Sequence, residues 1–302
     1  MKKLYEESDV QAIAAAIREK TGGSATYTIA QMAAAILGIE AGGGGGGALE
    51  PYIEYTYTTV DGEKQVETAK MHGCTEITNY AFYNCSWLTT VSGMDGVTAI
   101  RESAFYGCAG LELASLPDSI VSIANDAFVN CTSLALTSLP ASLTSIGDGA
   151  FAACESLALT SLPEGLTSIG GYAFEYCPSL ALTSLPTSLT SIGDGAFSEC
   201  ESLALTSLPE GLTIIDRRAF QSCTNLAITS IPASVTSIGD YAFSGCYSLT
   251  EITFKGKPDE ISAFAFHNRL ISTINVPWAE GAVADAPWGA AEATINYNYV
   301  EA

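Results

Sequence analysis

Positive charge is scarce in this 302-residue sequence: 12 Lys and Arg stand against 33 Asp and Glu, for a net charge of −21. Between Arg101 and Arg217 there is no Lys or Arg at all, while 13 acids fall in the same stretch. A nucleic-acid surface needs a basic stripe to displace counterions, and an interfacial membrane helix needs Lys or Arg on its polar face. Both partner classes are excluded. Histidine is scarcer still: His72 and His267 lie near opposite ends, so the usual acid–base and metal-site repertoire is nearly missing. No segment approaches the roughly 18 continuous apolar residues of a spanning helix. At the N-terminus Lys2 and Lys3 are followed by acids where a secretory signal carries its apolar core, so no uncleaved signal peptide is visible. A mature secreted chain, a cytosolic chain and a chain released inside a virus particle all fit these residues. An apolar fraction of 48% against 15% charged residues excludes a wholly disordered chain.

What is present is a repeat. The phenylalanine of an Ala-Phe pair recurs at Phe82, Phe105, Phe128, Phe151, Phe174, Phe197, Phe220, Phe243 and Phe266, always 23 residues apart. Cysteine follows three residues later in eight copies, from Cys85 to Cys246, and only the ninth departs, with Arg269. Isoleucine precedes each Phe by five residues, from Ile77 to Ile261, and an aliphatic residue stands three positions before that in seven copies, from Val97 to Val235. Leucines such as Leu134, Leu136 and Leu139 follow the cysteine, and six consecutive repeats then place a proline, from Pro117 to Pro232.

A 23-residue unit encloses too little volume to bury these side chains alone, so the copies must stack, each coil burying the next. Each burial is worth roughly 1.5–3 kcal/mol, which offsets much of a coil's chain entropy. At about 4.8 Å per strand, nine coils make a rod of roughly 40 Å. Residues 141–186 and 187–232 align without gaps and are identical at 33 of 46 positions. The differences are mostly polar, as in Ala153 against Glu199 and Gly171-Tyr172 against Arg217-Arg218, while the core slots change conservatively. A constant scaffold beneath a changing surface suits a binding module, and recent duplication gives the same picture.

The pattern I-G-x-x-A-F-x-x-C-x-x-L followed by L-P, over residues 74–272, resembles the BspA-like class of bacterial leucine-rich repeat. The resemblance implies a β-rich, α/β-type leucine-rich repeat solenoid and a surface or secreted binding protein, often an adhesin. It departs locally. Six middle repeats put leucines five and eight residues after the Cys, where the family more usually has six and eight. The end repeats, with Val91 or with Ile252 and Phe254, come closer, so strand geometry is expected to shift between middle and ends.

Eight cysteines at one slot allow disulfides, a metal ladder or buried thiols. Equivalent slots on stacked coils point the same way, which fits poorly with the facing Cβ atoms of a disulfide. A spacing of 23 without histidine support does not make a zinc site. In leucine-rich repeats this slot is a buried Asn or Cys meeting the backbone at a bend, and buried free thiols are the expectation here. Cys74 is separate: it occupies the slot that later holds Val, Ile or Leu.

The ends differ from the repeats. Ser8 with Gln11 and Thr28 with Gln31 make capping boxes, and the apolar faces that follow predict a helical hairpin over residues 1–41, an anchor or homo-oligomerisation segment. Glycines 42–47 make a tether within the linker 42–50. Alternation around Asp61-Gly62 predicts a β-hairpin cap over 51–73. In the C-terminal cap, 273–302, Trp278, Trp288 and Tyr297 are expected to cover the last coil, with a ligand platform as the alternative. The segments A-I-R-E-K-T-G-G (16–23), I-A-Q-M-A-A-A-I (29–36) and P-W-G-A-A-E-A-T-I-N-Y-N (287–298) resemble the ends of tail and minor structural proteins from phages of Gram-positive gut bacteria. That resemblance implies a virion protein.

Asp148, Asp194 and Asp240 share one repeat position, three before the Phe. Calcium needs about six or more converging oxygens, so a solvated acidic face is expected. No residue is assigned to catalysis, a cofactor or a metal. The candidate binding surface is the set Tyr80, Tyr83, Tyr106, Tyr172, Tyr176, Arg217, Arg218 and Tyr241, because Tyr and Arg suit interfaces and Tyr suits sugar stacking. The function expected is a non-enzymatic binding rod recognising protein or carbohydrate on a cell surface, most simply a phage tail-associated receptor-binding module. A cell-surface or secreted adhesin and a structural spacer are the alternatives.

Overall fold

The structure is a computed structural model, and it describes residues 51–300. The helical hairpin and glycine linker expected before residue 51 lie outside the described residues. The rest is a right-to-the-end stack of coils in which one short parallel sheet runs the length of the repeats. Nine two-residue strands form it, from Glu76–Ile77 at one edge to Glu260–Ile261 at the other, each paired in register with its neighbour 23 residues on. The inward residue of each strand is the repeated Ile, buried in every copy, and most outward residues are Ser.

Behind the sheet the nine phenylalanines stack face to face, with centroids 5.0–5.6 Å apart and planes within 13°. The backbone supplies the register. Phe N–H of one coil donates to the carbonyl of the Ala before the next Phe, as in Phe174 to Ala196 at 2.8 Å and Phe197 to Ala219 at 2.9 Å. No α-helix occurs among the described residues, which corrects the α/β-type expectation. Where such a repeat would carry a helix, the chain makes successive turns. In the first eight coils the residues two before and two after the Phe both have positive φ, as at Tyr172 and Tyr176 (each 56°). Left-handed residues end an α-helix, so two of them within five residues exclude one.

The expected difference between middle and ends is present. Past the Cys bend, strands form only near the ends: Thr90–Ser92 at the first coil, and Ser230–Ile231, Glu251–Phe254 and Thr273–Asn275 at the last ones. In the middle coils the ladder thins to single bonds such as Ala181 N–H to the Leu159 carbonyl, 3.2 Å. Leucines at five and eight after the Cys do not alternate, so a continuous strand there turns one of them away from the core.

The caps extend the stack. Strand β1 (Tyr52–Val60) and strand β2 (Glu63–His72) form an antiparallel hairpin about Asp61 and Gly62, whose φ values are 50° and 85°. β2 pairs in parallel with Thr90–Ser92, and Tyr55 of β1 meets Phe82 edge-on at 6.2 Å. At the other end the chain makes a tenth, degenerate coil. Phe266 N–H donates to the Trp288 carbonyl at 2.8 Å, and Thr294–Asn296 pairs with Thr273–Asn275. Trp288 is fully buried and Trp278 nearly so, both against Phe254. They cover the last coil.

Seven thiols, Cys108 to Cys246, are buried, and each donates to the carbonyl of the Phe 26 residues earlier, as in Cys200 to Phe174 at 2.9 Å. The ninth coil keeps a polar plug despite Arg269: Asn268, one residue earlier, is buried and its amide donates to the Cys246 carbonyl at 2.6 Å. Cys74 is half-buried against the Tyr52 and His72 carbonyls. Burial pushes the ladder thiols up from their ordinary value of 9.0, Cys131 and Cys177 to about 12 and Cys154, Cys200 and Cys223 well above 9.0. The sign of the linkage follows. Above about pH 9 the unfolded chain loses these protons and the folded chain keeps them. Stability is therefore complete below that pH and falls as pH rises, by about 1.4 kcal/mol per thiol per pH unit. The urea midpoint is expected to hold from pH 7 to 8 and drop steeply between pH 9 and 11; a flat profile to pH 11 contradicts the buried ladder.

Candidate functional site

All eight residues singled out from the sequence fall within three positions of a ladder Phe, so they share one long edge of the rod. The local reason is the pair of left-handed turns. Their backbone is clamped coil to coil, with Tyr172 N–H on the Asp194 carbonyl (2.7 Å), Gly195 N–H on Arg217 (2.8 Å) and Arg218 N–H on Asp240 (2.8 Å). A left-handed non-glycine residue costs about 1–2 kcal/mol, and the core behind it asks nothing of its side chain. The position two before the Phe consequently reads Tyr80, Ser103, Asp126, Gly149, Tyr172, Gly195, Arg218 and Tyr241 along the rod. Strain kept at variable outer positions directs attention to function there.

The structure gathers the eight residues into three groups and does not join them. Near the N-terminal cap Tyr80 lies edge-on to Tyr83 (5.7 Å), Tyr83 stacks on Tyr106 (5.0 Å, 19°), and the Tyr80 hydroxyl donates to Glu102 at 3.2 Å. Two coils carrying Val129, Ala152 and Gly149 separate this group from the next. The central group holds Tyr172, Tyr176, Arg217 and Arg218. Tyr176 is 49% exposed, Arg217 is exposed and Arg218 half-buried. At the C-terminal end Tyr241 stacks on Phe264 at 5.5 Å, with His267 edge-on to both. Phe264, 48% exposed, and His267 escaped the sequence reading because that coil lacks the Cys that marks the others.

The central group also corrects the reading of Asp194 as part of a solvated acidic face. Its Oδ2 accepts the Tyr172 hydroxyl at 2.8 Å, while its Oδ1 is buried and has no partner. Gly195 makes room for this. A Cβ there would lie 2.7 Å from two Tyr172 ring carbons, so the ring rests over the glycine. The hydrogen bond to Asp194 raises the Tyr172 pKa, burial adds to that, and Arg218 and Arg217 oppose it. Glu175 is raised by burial and by Glu199, against Arg218. Both arginines are therefore within electrostatic reach of Tyr172.

No group of three or more His, Cys, Asp or Glu among the described residues is placed to hold a metal ion. Shallow depressions of about 370 Å³ (lined by residues 259–263 and 283–285) and 340 Å³ (lined by 90–95 and 112–117) include none of the eight candidates. The arrangement offers rings and guanidinium groups: a recognition set.

Comparison with known proteins bears on the repeat fold. The model for the BspA type leucine rich repeat region, built on six copies, matches residues 64–181 and 167–281. A leucine-rich repeat protein from Bacteroides ovatus is similar at 25% identity and a TM-score of 0.56, over 81% of this chain and 75% of that one. The leucine-rich repeat protein of T. pallidum is similar at 28% identity and a TM-score of 0.44, over 65% of this chain and 87% of that one. A search of the curated proteins gives no match.

The glycine beneath Tyr172 makes the site's geometry testable. Gly195→Ala puts a side chain at φ 59° and under the ring, for an expected loss of about 1–2 kcal/mol in denaturant unfolding. It also releases the Tyr172 hydroxyl from Asp194, so one late-titrating phenol is expected to move down in an absorbance titration. An unmoved phenol shows that the ring does not rest on the glycine.

Proposed function

The chain belongs to the BspA-type leucine-rich repeat family, and we propose that it is a non-enzymatic binding rod that recognises a protein or carbohydrate on a cell surface. The observation that carries this is the split between an unvarying interior and a variable edge. Phe, Ile and Cys repeat in every coil or nearly so, while the left-handed edge positions change from Tyr to Asp to Gly to Arg. A spacer has no use for exposed tyrosines and arginines held at strained backbone positions.

The finer reading is that the rod works outside the cell as a phage tail-associated receptor-binding protein, with residues 1–41 docking it or joining copies. What supports this is the likeness of segments 16–23, 29–36 and 287–298 to the ends of phage tail and minor structural proteins. A surface or secreted adhesin of a gut bacterium keeps the same rod in another place.

Labelled full chain is expected to bind saturably to intact Gram-positive gut bacteria or to intestinal mucin. Substituting Tyr172, Tyr176, Arg217 and Arg218 together is expected to weaken that binding at least tenfold with the thermal midpoint unchanged. No saturable binding to either surface overturns the rod as a recognition device. Immunogold labelling of lysed cultures decides its place: label on particle tails agrees with the phage reading, and label confined to cell envelopes overturns it.

A further inference from the structure

Arg217 and Arg218 are the only cations between Arg101 and Lys255, on a chain of net charge −21. Arg101 is paired with Glu76 at 2.6 Å and Lys255 with Glu210 at 2.7 Å. The two central arginines form no ion pair among the described residues, although acids surround them. The geometry explains this. Asp216 Oδ1 accepts the Arg217 backbone N–H (2.7 Å), Asp240 is engaged by the Ser262 hydroxyl, and Asp194 holds the Tyr172 hydroxyl. Each of these three carboxylates holds another donor, and neither guanidinium group has an ion-pair partner among the described residues. Beside them the Tyr172 ring, 36% exposed, lies over Gly195 on the neighbouring coil.

The geometry points to a subsite for an acidic sugar on this edge: a carboxylate-bearing residue of a glycan, its anionic group on Arg217 and Arg218 and its ring against Tyr172. This rests on the reading of the rod as a binding protein. A sugar acid supplies together what this edge can hold: an anion for the guanidinium groups and a ring face for Tyr172. An acidic peptide fits less well. The edge backbone is already bonded coil to coil from Tyr172 to Asp240, so it has no main-chain groups with which to hold a peptide strand. The acids around the two arginines also favour a ligand with isolated negative charges over a densely charged polymer. Tyr241 and Phe264 continue the same row beyond Arg218, which allows the glycan to run on along the rod.

The test is calorimetric titration of the full chain with oligosaccharides containing glucuronate, galacturonate or sialate, each alongside its methyl-esterified counterpart, and with polyglutamate. At least one acidic oligosaccharide is expected to bind, and esterification to weaken it tenfold or more. The double variant Arg217→Gln, Arg218→Gln and the single variant Tyr172→Ala are expected to lose as much, while Arg217→Lys, Arg218→Lys keeps part of it. Glu63→Gln, exposed on the N-terminal hairpin, is expected to bind as wild type, and circular dichroism and thermal midpoints confirm that each variant folds. The subsite is overturned if no acidic oligosaccharide binds, if the Gln double variant binds unchanged, or if polyglutamate binds as tightly. Adhesion to cells or mucin that persists in the Gln double variant removes this site and leaves the binding rod standing. Wild-type chain that adheres to neither surface removes the reading beneath it.

Discussion

Everything in this molecule depends on keeping one register from coil to coil. Each Phe ring lies flat on the ring 23 residues before it, and its backbone N–H is bonded to the coil after it. The buried thiols work at the same repeat: each reaches back 26 residues to a Phe carbonyl, as Cys154 does to Phe128, which also accepts the Cys131 backbone N–H of its own coil at 3.1 Å. A one-residue insertion in any coil moves a ring out of its stack and a thiol away from its carbonyl. That is the physical reason nine repeats run without a single gap.

The same constraint frees the edge. Because main-chain bonds between coils hold the turns on either side of the Phe, the side chains there carry little structural duty. Tyr172, Gly195 and Arg218 can follow one another along one row without disturbing the ladder behind them. Residues so placed act together only over neighbouring coils, which is why the eight candidates divide into three groups. It also explains why Gly195 matters as much as the residues with functional groups. Its missing side chain lets Tyr172 reach Asp194.

Periodicity made the solenoid legible. The inward Ile, the stacked Phe and the thiol slot all followed from a spacing of 23, and the Asp61-Gly62 turn marked the first cap. Even the loss of the second strand in the middle coils was readable in leucines five and eight after the Cys. The sequence misled where backbone conformation decides. Nothing in Tyr172 or Arg218 as letters announces a left-handed residue, so the turns that replace a helix were missed. Asp194 looked like a member of a solvated row because its contact to Tyr172 crosses between coils. Phe264, His267 and Asn268 lay hidden in a coil whose Cys had been replaced, and the tenth coil has no repeat letters at all.

The most direct measurement is a count of reactive thiols in the full chain, without reductant, before and after unfolding in denaturant. Native protein is expected to react only at the half-buried Cys74 and Cys85, with the seven buried ladder thiols silent until the chain unfolds and all nine then reacting. Fewer than nine thiols in the unfolded chain would mean disulfides. Nine reacting at once in the native protein would mean that the thiols do not line the interior, and either result contradicts the ladder on which the account stands.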